Sequence, residues 1–239
     1  MGYTYSKCMD NSSGLEDRTN VFNPRASRSL YRFDVMHNFV SSYTVRLPFE
    51  KLLSHGGGRA GKIIGGWELS GITSLATGLP VTLSENDDHS LTGAIGVDVP
   101  VMVATGKVLN DTNPRHGQPY FNTSLFGKEA IGQIGNANRR FFHGPGIYNF
   151  DMALLKGFKF TESKELQMRF EAFNLFNHAQ FTNPSGNVKS GTFGVIGTAR
   201  DPRIMQVAMK FMFLAPAPKK WQRRKWKLRC FFHTFHGEG

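Results

Sequence analysis

Hydrophobic and polar positions alternate along several segments of this 239-residue chain. A period of two residues is the mark of a strand with two unlike faces. Residues 37–49 place Phe39, Tyr43, Val45, Leu47 and Phe49 on one face, and Asn38, Ser42, Thr44 and Arg46 on the other. Residues 67–83 place Trp67, Leu69 and Leu75 opposite Glu68, Ser70 and Ser74, with Ile72 falling on the polar side. The alternation is weaker over 150–160. It is clean over 165–172, where Leu166, Met168, Phe170 and Ala172 oppose Glu165, Gln167, Arg169 and Glu171. In the last strand Met205, Val207, Met209, Phe211 and Phe213 share a face, with Gln206 and Lys210 opposite. Tyr3–Ser6 reads as the end of a further strand, and the pattern extends β structure as far as Phe181.

The connections sort by length. Segments 10–36, 84–148 and 182–202 are long and rich in Gly, Asn, Asp, Pro and Ser. Segment 161–164 is minimal, and 50–66 is intermediate and rich in glycine. Counted from Tyr3, the long loops fall at one end of the strands and the shorter links at the other. Strands of about 9–11 residues cross an outer membrane, and short turns on one side with long loops on the other are the habit of transmembrane barrels. The expected fold is therefore all-β: an antiparallel, up-and-down transmembrane β-barrel, present only in part. Six strands, with short ones expected within 84–148, cannot close around a lumen of transporter size, which takes about 22. Open strand edges are not tolerated in lipid.

Composition agrees. Phe occurs 21 times and Gly 26 times, while hydrophobic residues make up 40%. No run of about 18 apolar residues is present to form a membrane helix, but alternating barrel strands give only a weak hydropathy signal. The N-terminus MGYTYSKCMD lacks the charged and apolar regions of a signal peptide, so an exported barrel would have to begin upstream. The net charge of +11 is concentrated at the C-terminus, where Lys219, Lys220, Arg223, Arg224, Lys225, Lys227 and Arg229 face a single acid, Glu238. The body needs no nucleic acid to account for its charge. Residues 1–213 read as the barrel portion. Residues 214–239 form a basic tail, read as disordered or as the product of a disrupted stop codon, because composition changes abruptly at Ala215-Pro216-Ala217-Pro218.

Motifs that suggest chemistry weaken on inspection. Gly56–Lys62 approaches a phosphate-binding loop, but Ile63 stands where a hydroxyl should hold Mg²⁺ and a strand follows instead of a helix. Asp87, Asp88 and His89, and Asn110, Asp111 and Asn113, offer oxygen donors without EF-hand spacing and read as solvated loop residues. Cys230, His233 and His236 supply three ligands where zinc takes about four. Cys8 and Cys230 imply no disulfide framework. No catalytic set, cofactor or metal site is expected, and so no enzyme. Arg46, Glu68, Arg169 and Glu171 are charged residues on polar strand faces. In a barrel they would line the lumen, as salt bridges between strands or as contacts to a plug or substrate.

Several segments resemble the C-terminal barrel region of TonB-dependent outer-membrane receptors, specifically the Oar-like group common in acidobacterial genomes. They are Gly65–Ile72 with Thr77–Val81, Tyr120–Phe126, Gly135–Arg140 with Gly144–Gly146, Asn149–Asp151, Arg169–His178, Phe193-Gly194 and Asp201–Arg203. The likeness spans residues 1–213 in order and spacing. It implies a barrel of about 22 strands around an N-terminal plug that this sequence does not contain. It also implies coupling to the TonB complex through that plug, and uptake of a large or scarce substrate. Outer-membrane lipid and the barrel-assembly machinery would be partners. That machinery reads a terminal aromatic residue, a position that Phe213 matches, with Phe211 beside it, at a periplasmic C-terminal end. Ligand selection would fall to the 84–148 loop. Two other readings remain open: a structural or adhesive outer-membrane barrel without energised uptake, and a soluble all-β binding module.

Overall fold

The computed structural model describes residues 1–14, 20, 23–49, 63–93, 98–110, 113–161 and 163–213. The Gly56–Lys62 turn, Asp111 and the basic tail with its Cys230, His233 and His236 lie outside the described residues. The long elements are all strands: β1 (Gly2–Tyr5), β4 (His37–Leu47), β5 (Trp67–Ala76), β8 (Ile147–Thr161), β9 (Lys164–Phe173) and β10 (Ile204–Phe213). They form one antiparallel sheet in the order β1-β4-β5-β8-β9-β10, each neighbour following its predecessor along the chain. The remaining strands are two-residue pairs: β2 (Met9–Asp10) with β3 (Ser29–Leu30), and β6 (Val101–Met102) with β7 (Phe126–Gly127). The expected six strands and the short pair within 84–148 are thus present. The sheet does not close, and β1 and β10 form its edges.

Three strands are shorter than alternation alone predicts: the fourth stops at Leu47 instead of Phe49, and two others lose more. The fifth stops at Ala76 instead of Leu83, and the ninth stops at Phe173 instead of Phe181. Each of these two has a backbone cause. At Gly78 a Cβ would collide with the Gly144 carbonyl, so the chain turns away through a gap that only glycine fits. At the end of β9, Asn174 and Asn177 adopt φ of 52° and 50°. Asparagine enters this left-handed region more readily than most residues.

The chain divides into two compact units. One gathers Met1–Val40, Ser74–Tyr148 and Ala179–Asp201, and so draws together most of the three long connections. Its core is Val81, Leu83, Phe121, Leu125, Phe126, Ala137 and Phe142. Phe121 is fully buried, and its ring meets Phe126, Phe142 and Phe193 edge-on at centroid distances of 5.8, 5.1 and 5.2 Å. Such contacts contribute beyond their buried area. The polar composition of these loops suggests solvated segments, yet a minority of aromatic residues is enough to fold them together.

The other unit contains Ser41–Thr73, Asn149–His178 and the described part of the segment from Pro202. It carries most of β4, β5 and β8 and the whole of β9 and β10. Met152, Leu154, Lys156 and Phe158 of β8 pair with Ala172, Phe170, Met168 and Leu166 of β9. The same β9 residues pair with Met205, Val207, Met209 and Phe211 of β10. Directly opposed residues share a face, so three strands present one apolar band. Met205, Val207, Met209 and Phe211 are all exposed. Along β8 the band begins at Phe150 and ends at Phe158 and Phe160. The stretch from Phe150 to Phe158 spans about 26 Å of strand, or about 20 Å once tilted by about 40°, close to the apolar height of an outer-membrane barrel. Lys156 interrupts the band. Its ammonium donates to the Gly65 carbonyl and lies 5.6 and 5.1 Å from the ring centres of Trp67 and Phe158. Elsewhere on the sheet the Tyr43 ring covers Gly71, where an added Cβ would come within 2.7 Å of it.

Replacing Phe121 with alanine empties the centre of the loop core and should cost that unit about 3–5 kcal/mol. Limited proteolysis should then cut within 77–146 at much lower protease concentration, while the strands of the sheet stay protected.

Candidate functional site: the polar face of the sheet

Opposite the apolar band, the residues left by the same registers are mostly polar. Ala153, Leu155, Gly157 and Lys159 of β8 pair with Glu171, Arg169, Gln167 and Glu165 of β9. Across the other edge of β9, Gln206, Ala208 and Lys210 pair with Glu171, Arg169 and Gln167. The four charged residues expected on polar faces form two separate pairs. Arg46 Nε lies 3.8 Å from Glu68 Oε2, with the arginine side chain almost wholly exposed. Arg169 forms an ion pair with Glu171, whose other carboxylate oxygen accepts from the Gln206 side chain. Glu171 is the more buried member of its pair, because its β8 neighbour is the small Ala153 and leaves room for the carboxylate to lie against the sheet.

A groove of about 370 Å³ runs over this face, lined by Ser42, Thr44, Ser70, Ile72, Asp151, Arg169 and Glu171 among others. Ile72, the residue that breaks the alternation of its strand, lines the groove and is half exposed. A second hollow of about 850 Å³ includes Arg46, Glu68, Lys159, Glu165 and Gln167. The first groove holds the Arg169 pair and the second the Arg46 pair, so each hollow contains both signs of charge. Such a surface can hold water, polar side chains or a polar solute. Among the described residues that line it, no nucleophile is paired with a base.

The strongest motif, Arg169–His178, divides into two jobs. Its first half supplies the two faces of β9. Its second half makes a corner. The Asn174 amide donates to Asp151 Oδ1 at 2.9 Å, its side chain bridges to the backbone of His178 in both directions, and Leu175 N–H donates to the Phe150 carbonyl at 2.8 Å. Asn177 Oδ1 accepts from the Arg203 amide at 3.1 Å, and the Arg203 guanidinium donates to the Leu175 carbonyl. The motif thus ties the end of β9 to β8 and to the entry of β10. Phe211 and Phe213 lie on the exposed apolar face, rings 5.0 Å apart, with Phe160 6.5 Å from Phe211.

In the loop unit the structure assembles a group that sequence spacing could not reveal. Asp87 and His89 are half buried, not freely solvated. They meet Glu85 and Glu129, which are 0% and 4% exposed. One ligand atom from each of the four lies within 4.8 Å of the others. Burial, and then the neighbouring Glu129, raise the Glu85 carboxyl from 4.5 to about 7. Lys189 pairs with Asp87 and lies 3.5 Å from His89 Nε2. Asp88 points elsewhere and caps its own loop through Thr92 N–H and Gly93 N–H. Asn113 likewise caps a short turn through Arg115 N–H. Cys8 is an exposed free thiol.

The family described as outer membrane beta barrel domain matches residues 1–206. No curated protein and no solved structure matches the chain.

The two polar contacts should differ in strength. A double-mutant cycle on Glu171 and Gln206 should return a coupling of about 0.5–1 kcal/mol. The exposed Arg46–Glu68 pair should return less than about 0.5 kcal/mol. Both are measured by urea unfolding from lipid vesicles.

Proposed function

We propose a transport role for this chain, which belongs to the outer membrane beta barrel domain family. It forms part of an outer-membrane barrel of the TonB-dependent kind, one that takes up a large or scarce substrate around an internal plug. The observation that carries the reading is the contrast between the two faces of one sheet: an apolar band edged by aromatic rings and broken only by the buried Lys156, and a polar face grooved and paired in charge. In a barrel the first face meets lipid and the second lines the lumen. Arg46, Glu68, Arg169 and Glu171 then stand where a plug or a passing solute would touch the wall. The long loops, gathered into one unit, would face outward and select the ligand, and the Phe213 end would face the periplasm, where assembly factors read Phe211 and Phe213.

The finer identity rests on the motif resemblance, above all Arg169–His178 with Asp201–Arg203, whose corner geometry gives that segment a structural reason to keep its form. A non-energised structural or adhesive barrel is the second reading, favoured by the loop unit having its own core, as a binding head would. A soluble module accounts poorly for exposed Met205, Val207, Met209 and Phe211 side by side.

The genomic reading frame upstream of Met1 separates the first two readings. The transport reading expects a plug domain and a TonB-contacting segment there, and a frame without them overturns it. Expression tests the third. Without a membrane, residues 1–213 should collect as inclusion bodies, and recovery as a soluble monomer would instead support the module.

A further inference from the structure

We propose that Glu85, Asp87, His89 and Glu129 form a binding site for one divalent transition-metal ion of the zinc class, which staples the gathered loops together. The inference stands apart from any transport role.

Three chain segments converge to make the site, and backbone bonds hold each in place. Ser84 N–H donates to the Gly186 carbonyl and Val188 N–H to the Ser84 carbonyl, which sets Lys189 beside the 85–89 segment. Glu85 N–H donates to the Asp98 carbonyl, and Gly132 N–H donates to the His89 carbonyl at 2.7 Å, which brings the Glu129 turn to His89. Gly132 reaches this position with φ of 78°, a conformation that favours glycine.

The site's side chains lack what buried polar groups normally have. Among the described residues, no hydrogen-bond donor reaches either carboxylate oxygen of Glu85 or of Glu129, nor Asp87 Oδ1, and His89 Nδ1 also has no partner. Buried polar groups are nearly always satisfied, and buried charges are paired or bind metal. A proton shared between Glu85 and Glu129 would settle those two carboxyls and leave Asp87 Oδ1 and His89 Nδ1 as they are. One ion at the centre satisfies all four residues. A greatest ligand separation of 4.8 Å leaves room for an ion bonded at about 2.0–2.2 Å after small side-chain adjustment. Three carboxylates with one imidazole make a four-ligand set. The imidazole favours zinc and its neighbours over calcium, which takes oxygen. Lys189, on Asp87 and near His89, already supplies one positive charge here, and an incoming ion would compete with it for the same groups.

The full chain, folded in detergent and stripped with chelator, is titrated with Zn²⁺, Mn²⁺ and Ca²⁺ separately. The expected result is one Zn²⁺ per chain, with Ca²⁺ at least tenfold weaker. Glu85→Gln with Glu129→Gln should weaken Zn²⁺ at least tenfold, and Lys189→Met should tighten it several-fold. Zn²⁺ should also slow proteolysis within 77–146 in the wild-type chain. If the double variant fails to fold, His89→Ala, which leaves the buried carboxylates intact, should still weaken Zn²⁺ binding. Absence of saturable Zn²⁺ uptake by the wild-type chain, tighter binding of Ca²⁺ than Zn²⁺, or unchanged affinity in His89→Ala or the double variant overturns the proposal.

Discussion

A strand in hydrocarbon has nowhere to send its N–H and C=O groups except to another strand. This constraint explains more of the molecule than any side chain does. It requires each of β4, β5, β8 and β9 to have a neighbour on both sides, and each has one. It also means that β1 and β10, the edges of the sheet, need further strands beside them when the protein stands in a membrane. Side chains then sort without choice. A period of two in direction, with directly opposed residues sharing a face, turns three sequence patterns of unequal clarity into one apolar band and one polar face. A single-residue slip would exchange those faces. The Asn174–Asn177 corner and its bonds to β8 and to Arg203 hold the register where β9 hands over to β10.

The loops obey a different rule. Outside the lipid, backbone groups can be satisfied by water, so nothing obliges long connections to fold. They fold because their aromatic residues, few but spread over several segments, can share one core around Phe121. Short ladders such as β6 with β7, and close approaches such as Gly135 against the Val99 carbonyl, then set the segments at fixed positions. A core of this kind can place chemistry from residues as distant in sequence as Glu85 and Glu129.

This difference also explains what could be read in advance. Strand periodicity is local, so Leu166–Ala172 and Met205–Phe213 declared their faces directly, and the order of loop lengths revealed which ends of the strands belong together. The polar pairs were half legible: Arg46, Glu68, Arg169 and Glu171 could be assigned to a face, but not to partners, because register is a property of two strands. The early end of β5 at Ala76 was hidden, since it depends on how closely Gly78 approaches Gly144. The acidic group around Glu85 was hidden more deeply. Asp87 and His89 stood out in the sequence, but Glu129 stands far along the chain from both, and nothing local marks Glu85 as buried.

Lys156 has a consequence for the apolar band. A stave with only apolar residues on its outer face can ride up or down as the bilayer thickens or thins. One that buries an ammonium against the Gly65 carbonyl, beside the rings of Trp67 and Phe158, carries a charge inside its apolar band and covers it with its own atoms. Without that cover the charge would face hydrocarbon, where it is costly. β8 is thereby tied to the start of β5 by a side chain as well as by backbone hydrogen bonds.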